Sequence, residues 1–324
     1  VRTLFAIAAV GAGLVLTILN LSAAQGLSPR ERRIGTGGAS LYVRDVGSGP
    51  PLIVLHGGPD FDHRYLLPDL DRLADAFRLV YYDQRGRGQS AEGVRPDEVS
   101  LASEVEDLDR VRRALRLEPA ALLGHSWGAL LALEYAVRNP ARVSHLVLLN
   151  PAPVSARDFG LLRKYYAQKL GDDVERQAEM LASAAYREGD PLAVAARYRV
   201  HFRPALTRPE HFERLLAAMQ EAFISQGRQG ILKARAVEDR LFRETWQSED
   251  YDLLPKLGAL KIPTLVIHGD DDFIPVDVSV HIAEAIPGAH LVRLSQCGHF
   301  SYLECPGDMR RAIDRFFGRK KPTR

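Results

Sequence analysis

Cysteine is nearly missing from this chain: of 324 residues only Cys297 and Cys305 carry a thiol, and no C-x-x-C pair occurs. A thiolate metal site of the usual spacing is thereby excluded. Spacing alone leaves open whether the two pair in an oxidising compartment or stay free and buried. An excess of one charge is missing too. With 43 basic against 41 acidic residues the net charge is +2, so nothing in the balance points to nucleic acid as a partner. The basic residues near the ends, Arg30, Arg32 and Arg33 early and Arg319, Lys320, Lys321 and Arg324 late, read as solvated tails. Internal repeats and low-complexity runs are absent, as are clusters of His, Cys, Asp and Glu at metal-ligand spacing. The Gly-rich turn Gly86-Arg87-Gly88 lacks the strand–G-x-G-x-x-G–helix setting of a dinucleotide site. Neither a metal nor a cofactor is expected.

Long apolar runs are scarce, with one exception at the start. Arg2 precedes an apolar stretch from Leu4 to Leu21, followed by Ser22-Ala23-Ala24-Gln25. Small residues at Ser22 and Ala24 suit cleavage after Ala24, which makes residues 1–24 a signal peptide. The stretch is also just long enough to span a bilayer, so residues 4–21 are alternatively an uncleaved anchor. A third reading is an upstream extension from the choice of start site. The expectation is an exported protein, periplasmic or secreted, or one attached to a membrane by this segment.

What is present in quantity is hydrophobic sequence, 46% of the chain, enough for one large core with an inserted lobe. Ala39–Val46, Pro51–Leu55, Leu79–Tyr82, Ala120–Leu123 and Val143–Leu149 read as strands. Helices are expected over Tyr65–Ala76, Leu101–Arg116 and Ala129–Val137. From about Ala152 to Tyr251 the pattern becomes helical throughout, divided at Gly171, Gly189-Asp190-Pro191, Pro204 and Pro209. Strand–helix alternation resumes with Pro263–His268, Asp277–Ile286, His290–Leu294 and Pro306–Phe317. Alternation on both sides of one helical block predicts an α/β fold with a mostly parallel sheet. The core spans 30–151 and 252–318. Residues 152–251 form a helical cap over the strands' C-terminal ends, where open α/β sheets bind ligands.

The densest signal is Gly124-His125-Ser126-Trp127-Gly128 between a buried strand and a buried helix. G-x-S-x-G in that setting is a nucleophile elbow, which holds Ser126 at the tip of a strained reversal. Glycines two residues away on each side let backbone and helix approach. A serine hydroxyl needs a base, and the base needs an orienting acid. On this architecture they follow in the order Ser, Asp or Glu, His. His299, in Gln296-Cys297-Gly298-His299-Phe300 after the last strand, is the candidate base. Asp272, third after the glycine in Gly269-Asp270-Asp271-Asp272, is the favoured acid, with Asp270 and Asp271 as alternatives or turn-formers. The strand after the elbow ends in Asn150-Pro151 and offers no carboxylate. Asp83 precedes Ser126, which breaks the order; it reads as a turn carboxylate paired with Arg85 or a backbone N–H. The oxyanion donors are expected to be the N–H groups of Trp127 and Gly58. His56 is expected to hydrogen-bond within the Gly58 loop.

With these residues in place, the chain resembles the α/β-hydrolase superfamily over about residues 35–318. His56-Gly57-Gly58-Pro59, Asp83-Gln84-Arg85-Gly86-x-Gly88-x-Ser90 and Gly124-x-Ser126-Trp127-Gly128 together resemble the proline iminopeptidase group. The resemblance implies an α/β-hydrolase fold and a serine aminopeptidase releasing N-terminal proline or similar residues from small peptides. A small ester is the alternative substrate, and a non-catalytic binding protein on the same fold is a third reading. It implies Ser126, Asp272 and His299 as the triad, and Gly58 and Trp127 as the oxyanion donors. It departs from the group at Asp60, where a glycine is usual, and at His125, where glycine is frequent. Members hold the substrate amine with glutamates, some in the cap beside tryptophans. Here Trp246 is the cap tryptophan, and Glu213, Glu221, Glu238 and Glu244 are the candidate carboxylates. Asp60 reads either as a solvated turn residue or as a group facing an ammonium.

Overall fold

The computed structural model describes residues 28–36 and 38–319. The expected leader, residues 1–24, lies outside them. Eight strands form one sheet: β1 (Arg30–Thr36), β2 (Ala39–Val46), β3 (Pro51–Leu55), β4 (Arg78–Tyr82), β5 (Ala120–His125), β6 (Val143–Leu149), β7 (Thr264–Gly269) and β8 (His290–Leu294). Their spatial order is β1-β2-β4-β3-β5-β6-β7-β8. The pairings β1–β2 and β2–β4 are antiparallel, and every other pairing is parallel. β5 is buried at every position. That is why it reads as an apolar run without alternation: helices cover both faces of a central parallel strand.

The helices are α1 (Leu101–Ala114), α2 (Trp127–Arg138), α3 (Ala156–Leu170), α4 (Asp173–Ala182), α5 (Ala184–Arg187), α6 (Pro191–His201), α7 (Pro209–Glu244), α8 (Leu254–Leu257), α9 (Val276–Ala285), α10 (Ser301–Glu304) and α11 (Pro306–Phe316). α2 follows β5 directly and is buried along most of its length. α3 to α7 lie between β6 and β7 and form the helical insertion. Local chemistry sets their limits. Ser155 caps α3 by accepting the Asp158 N–H, and Asp190 caps α6 by accepting from Leu192 and Ala193, with Pro191 at the first helical position. α7 is broken at Gly227, whose φ of 64° and ψ of 176° no helix tolerates. A bridge between Ser155 and Asp252 closes the neck of the insertion. Among the described residues no helix is long and apolar enough to cross a membrane.

Two expectations are corrected. Arg30, Arg32 and Arg33 are not a free tail: they lie on β1, where Arg32 bonds Asp45 and Arg33 bonds the Gln89 carbonyl. Residues Tyr65–Ala76 do not form one helix. Two short 3-10 turns, His63–Leu66 and Leu70–Asp75, replace it. Pro68 disfavours helical geometry at the preceding residue, and Leu67 is extended.

Candidate active site

The elbow is forced by close backbone approach. A Cβ on Gly124 would lie 2.4 Å from the Gly128 carbonyl oxygen, and one on Gly128 would lie 2.1 Å from that of Leu55. Only glycine fits either position. Ser126 between them has φ 54° and ψ −119°, a conformation costing on the order of 1–3 kcal/mol for a residue with a Cβ. Neighbouring strands hold it there. The Ser126 N–H donates to the Leu149 carbonyl at 3.0 Å, and its own carbonyl accepts from Ala129 at 2.9 Å and Ala152 at 3.2 Å.

His299 lies on the loop after β8. Its backbone N–H donates to the Ala205 carbonyl of the cap at 2.7 Å. Its ring Nδ1 lies 3.0 Å from both oxygens of Asp272. A carboxylate only accepts, so the proton sits on Nδ1 and Nε2 carries the free lone pair. Asp272 also accepts from the Ile274 N–H at 2.9 Å and from Asn150 Nδ2 at 2.8 Å. Burial pushes its carboxyl up, but the His299 ring, with His268 and the Ile274 N–H, outweighs burial and holds it below its ordinary value. Asp270 and Asp271 turn elsewhere: Asp270 pairs with exposed Arg293, and Asp271 is exposed. Ser126 and His299 line one cavity. Among the described residues no hydrogen bond joins the Ser126 hydroxyl to the ring.

Asn150 is a site residue that the sequence reading passed over. It follows β6, is fully buried, and has φ 45°. Its Nδ2 bridges Asp272 and the Gly298 carbonyl, the latter at 3.1 Å. It therefore ties Asp272 to the loop that carries His299. The absence of a carboxylate at this position was visible in the sequence; the amide's double donation was not.

Gly58 and Trp127 flank the serine. Trp127 opens α2, and its N–H has no carbonyl one turn back in the helix. Among the described residues neither its N–H nor that of Gly58 donates to a protein acceptor. The neighbouring Gly57 N–H is engaged, at 2.7 Å from Tyr65 Oη. The loop is braced from behind. His56 lies 2.9 Å from the Gly57 carbonyl through Nδ1 and accepts the Gln84 N–H through Nε2 at 3.0 Å. Burial, with Arg87 nearby, pushes the His56 pKa down to about 4, so the ring is neutral. The turn containing Gln84 is anchored to α1 by bidentate pairs, Arg85 with Asp107 and Arg87 with Glu104. Asp83 therefore does not pair with Arg85. It accepts from His63 Nδ1 at 2.6 Å and from the Gln89 N–H at 2.8 Å. Asp62, His63 and Asp83 stand close enough to hold a cation. Arg64, His63 and backbone donors already occupy their carboxylates, so the cluster is an ion-pair network.

The cavity above Ser126 has a volume of about 230 Å³ and mostly aromatic walls, among them Phe61, Phe159, Phe202, Trp246 and Phe273. Trp246 stacks on Phe159 at 4.7 Å. Asp60, Arg197 and Glu238 bring charge to the same cavity. Asp60 is buried rather than solvated, because the cap covers it and Tyr198 donates to it. Of the four candidate glutamates only Glu238 lines the cavity. Glu213 pairs with Arg199 at the surface, Glu244 accepts the Leu101 N–H, and Glu221 is exposed. Cys297 and Cys305 are both free.

The model of the alpha/beta hydrolase fold family matches residues 50–306. The chain belongs to that family. A proline iminopeptidase from Lactobacillus crispatus is 30% identical over 279 residues, covering 82% of this chain and 90% of that protein. Among solved structures, a proline iminopeptidase-related protein from Thermus thermophilus matches with a TM-score of 0.68 and 28% identity, over 90% of this chain and 98% of the other. The esterase RhEst1 from Rhodococcus matches equally in shape, with a TM-score of 0.68 at 26% identity, over 90% of this chain and 99% of the other. This family membership makes the chain a hydrolase of the alpha/beta fold.

Proposed function

We propose that this hydrolase is a serine aminopeptidase acting through an acyl-enzyme, and that it releases an N-terminal proline or similar residue from small peptides. The observation that carries the chemistry is the pairing of His299 with Asp272 on the cavity that holds Ser126. Ser126 Oγ attacks the scissile carbonyl while its proton passes to His299 Nε2. The oxyanion that forms is met by the N–H groups of Gly58 and Trp127. The tetrahedral intermediate collapses, and His299 delivers the proton to the departing amine. Water, deprotonated by the same nitrogen, then attacks the acyl-serine and releases the free amino acid. Asp272 stays ionised throughout and holds the imidazole in the tautomer that leaves Nε2 basic.

Asp60 and Glu238 support the choice of an aminoacyl substrate. Burial pushes both carboxyls up, Arg197 opposes it, and a substrate ammonium would favour their ionised forms. Similarity to proline iminopeptidases supports the same reading. The aromatic walls and the likeness to an esterase favour a second reading, a small ester with an apolar acyl group. A panel of aminoacyl anilides and p-nitrophenyl esters, run beside Ser126→Ala, separates the two. Proline anilide should be the better substrate. Ester turnover with no anilide cleavage would establish the second reading instead. Residues 1–24 are proposed to direct export, or residues 4–21 to anchor the protein in a membrane. Fractionation of cells producing the full chain tests this, and recovery from the cytosol alone would reject it.

A further inference from the structure

The geometry points to Tyr65 and His125 as positioning residues that join the oxyanion loop, the elbow and the loop of the base through one continuous hydrogen-bond relay. The inference rests on the assignment of Ser126 and His299 above. Three short contacts make the chain. The Gly57 N–H donates to Tyr65 Oη at 2.7 Å, Tyr65 Oη lies 2.7 Å from His125 Nδ1, and His125 Nε2 lies 3.0 Å from the His299 carbonyl oxygen. The direction of each is settled by the ends. A carbonyl only accepts, so His125 carries its proton on Nε2. Nδ1 is then an acceptor, and the Tyr65 hydroxyl must donate to it while accepting from Gly57. No second tautomer satisfies all three contacts.

The relay begins one residue before the Gly58 donor, passes through the residue before the nucleophile, and ends on the backbone of the base. Every member is buried: Tyr65 is 5% exposed, His125 1% and His299 2%. Burial, with the His299 ring beside it, pushes His125 down to about 3, so it stays neutral and keeps this single arrangement. Packing confines it further. The His125 ring lies 4.8 Å from that of His299 and 5.5 Å from that of Tyr302, and the Tyr302 hydroxyl donates to the Tyr65 carbonyl at 3.0 Å. Since His125 neither lends its proton nor faces an acid, its effect on the reaction is geometric. It sets how far the oxyanion donors and the imidazole stand from Ser126.

A reactive fluorophosphonate tests this without knowledge of the substrate. Its second-order labelling of Ser126 is resolved into binding and bond-forming parts for wild type, Tyr65→Phe, His125→Ala, His125→Gln and the Tyr65→Phe/His125→Ala double variant. Misplacement of reacting groups by a fraction of an ångström to 1 Å predicts a bond-forming rate lower by about 10- to 100-fold in Tyr65→Phe and His125→Ala, a larger change than in binding, since both side chains also line the cavity. The glutamine amide can reach the His299 carbonyl as Nε2 does, so His125→Gln should recover part of the loss. The double variant should be no slower than the slower single, because both break one relay. Wild-type labelling rates in both singles, or a double variant whose losses multiply, overturns the relay. If His125→Ala does not fold, Tyr65→Phe decides alone. Failure of the wild-type protein to label at Ser126 is a separate outcome and overturns the serine-hydrolase reading instead.

Discussion

Replacing Asp272 with asparagine changes one oxygen into a donor and leaves the volume almost untouched. The surroundings of that carboxylate consist of donors only: His299 Nδ1 at 3.0 Å from each oxygen, the Ile274 N–H at 2.9 Å and Asn150 Nδ2 at 2.8 Å. Wherever the new amide NH2 points, it meets an N–H. The Ile274 amide cannot rotate, so the asparagine oxygen stays on that side and the NH2 takes the place of Oδ2. There it faces His299 Nδ1 and Asn150. The ring can meet it only by moving its proton to Nε2, the atom required as base. The expected loss in kcat is about 10⁴-fold, equivalent to about 5 kcal/mol of transition-state stabilisation. The assay is steady-state turnover of whichever anilide or ester the wild type cleaves, with folding checked by thermal unfolding. A second readout is acid stability. Asp272 is held below its ordinary value, so its ionised form stabilises the fold above about pH 4, and that contribution is lost as pH falls through the folded value. The variant should lose this dependence. Turnover within about tenfold of wild type would refute the tautomer argument.

Gly128→Ala places a methyl 2.1 Å from the Leu55 carbonyl oxygen; since the obstacle is backbone, unfolding free energy should fall by about 3 kcal/mol or the chain should fail to fold, as read by urea titration. His56 is buried neutral with a folded pKa of about 4 against an ordinary 6.5, so its contribution is intact above pH 6.5 and declines as pH falls toward 4. The loss approaches about 3 kcal/mol, and His56→Asn should flatten that part of the stability profile. Glu238→Gln should lower kcat/KM for proline anilide by at least about tenfold while affecting p-nitrophenyl acetate far less, since only the former carries an ammonium; equal losses on both would reject its role in amine binding.

The parallel strands β3 to β7 were legible because burial leaves short apolar runs ended by turn residues, and the half-exposed edge strand β8 because its apolar residues lead into the Gly298 turn. The core helices α1, α2, α9 and α11 fell within two residues of expectation, because their apolar residues recur at helical spacing. β1 was not legible. Its residues Arg30 to Arg33 are exposed and charged, so it carries no apolar period, and its membership of the sheet depends on pairing with β2. The helix expected at Tyr65–Ala76 followed a sound apolar pattern that Pro68 interrupts. At the site, Ser126 and the His299 loop were readable from glycines that close approach requires. Asn150, Tyr65 and His125 were not, because their partners are far along the chain: 122 residues separate Asn150 from Asp272, and 60 separate Tyr65 from His125. Asp60 follows a glycine-rich turn and looks solvated until the cap is laid over it. Glu238 was one of four equivalent glutamates until helix packing aimed it at the cavity.

The most direct measurement is mass-spectrometric mapping of the folded protein after treatment with a fluorophosphonate. A single adduct is expected on Ser126, abolished in Ser126→Ala and formed more slowly by orders of magnitude in His299→Ala. No adduct on Ser126, or one that forms equally fast without the imidazole, would contradict the serine-hydrolase reading.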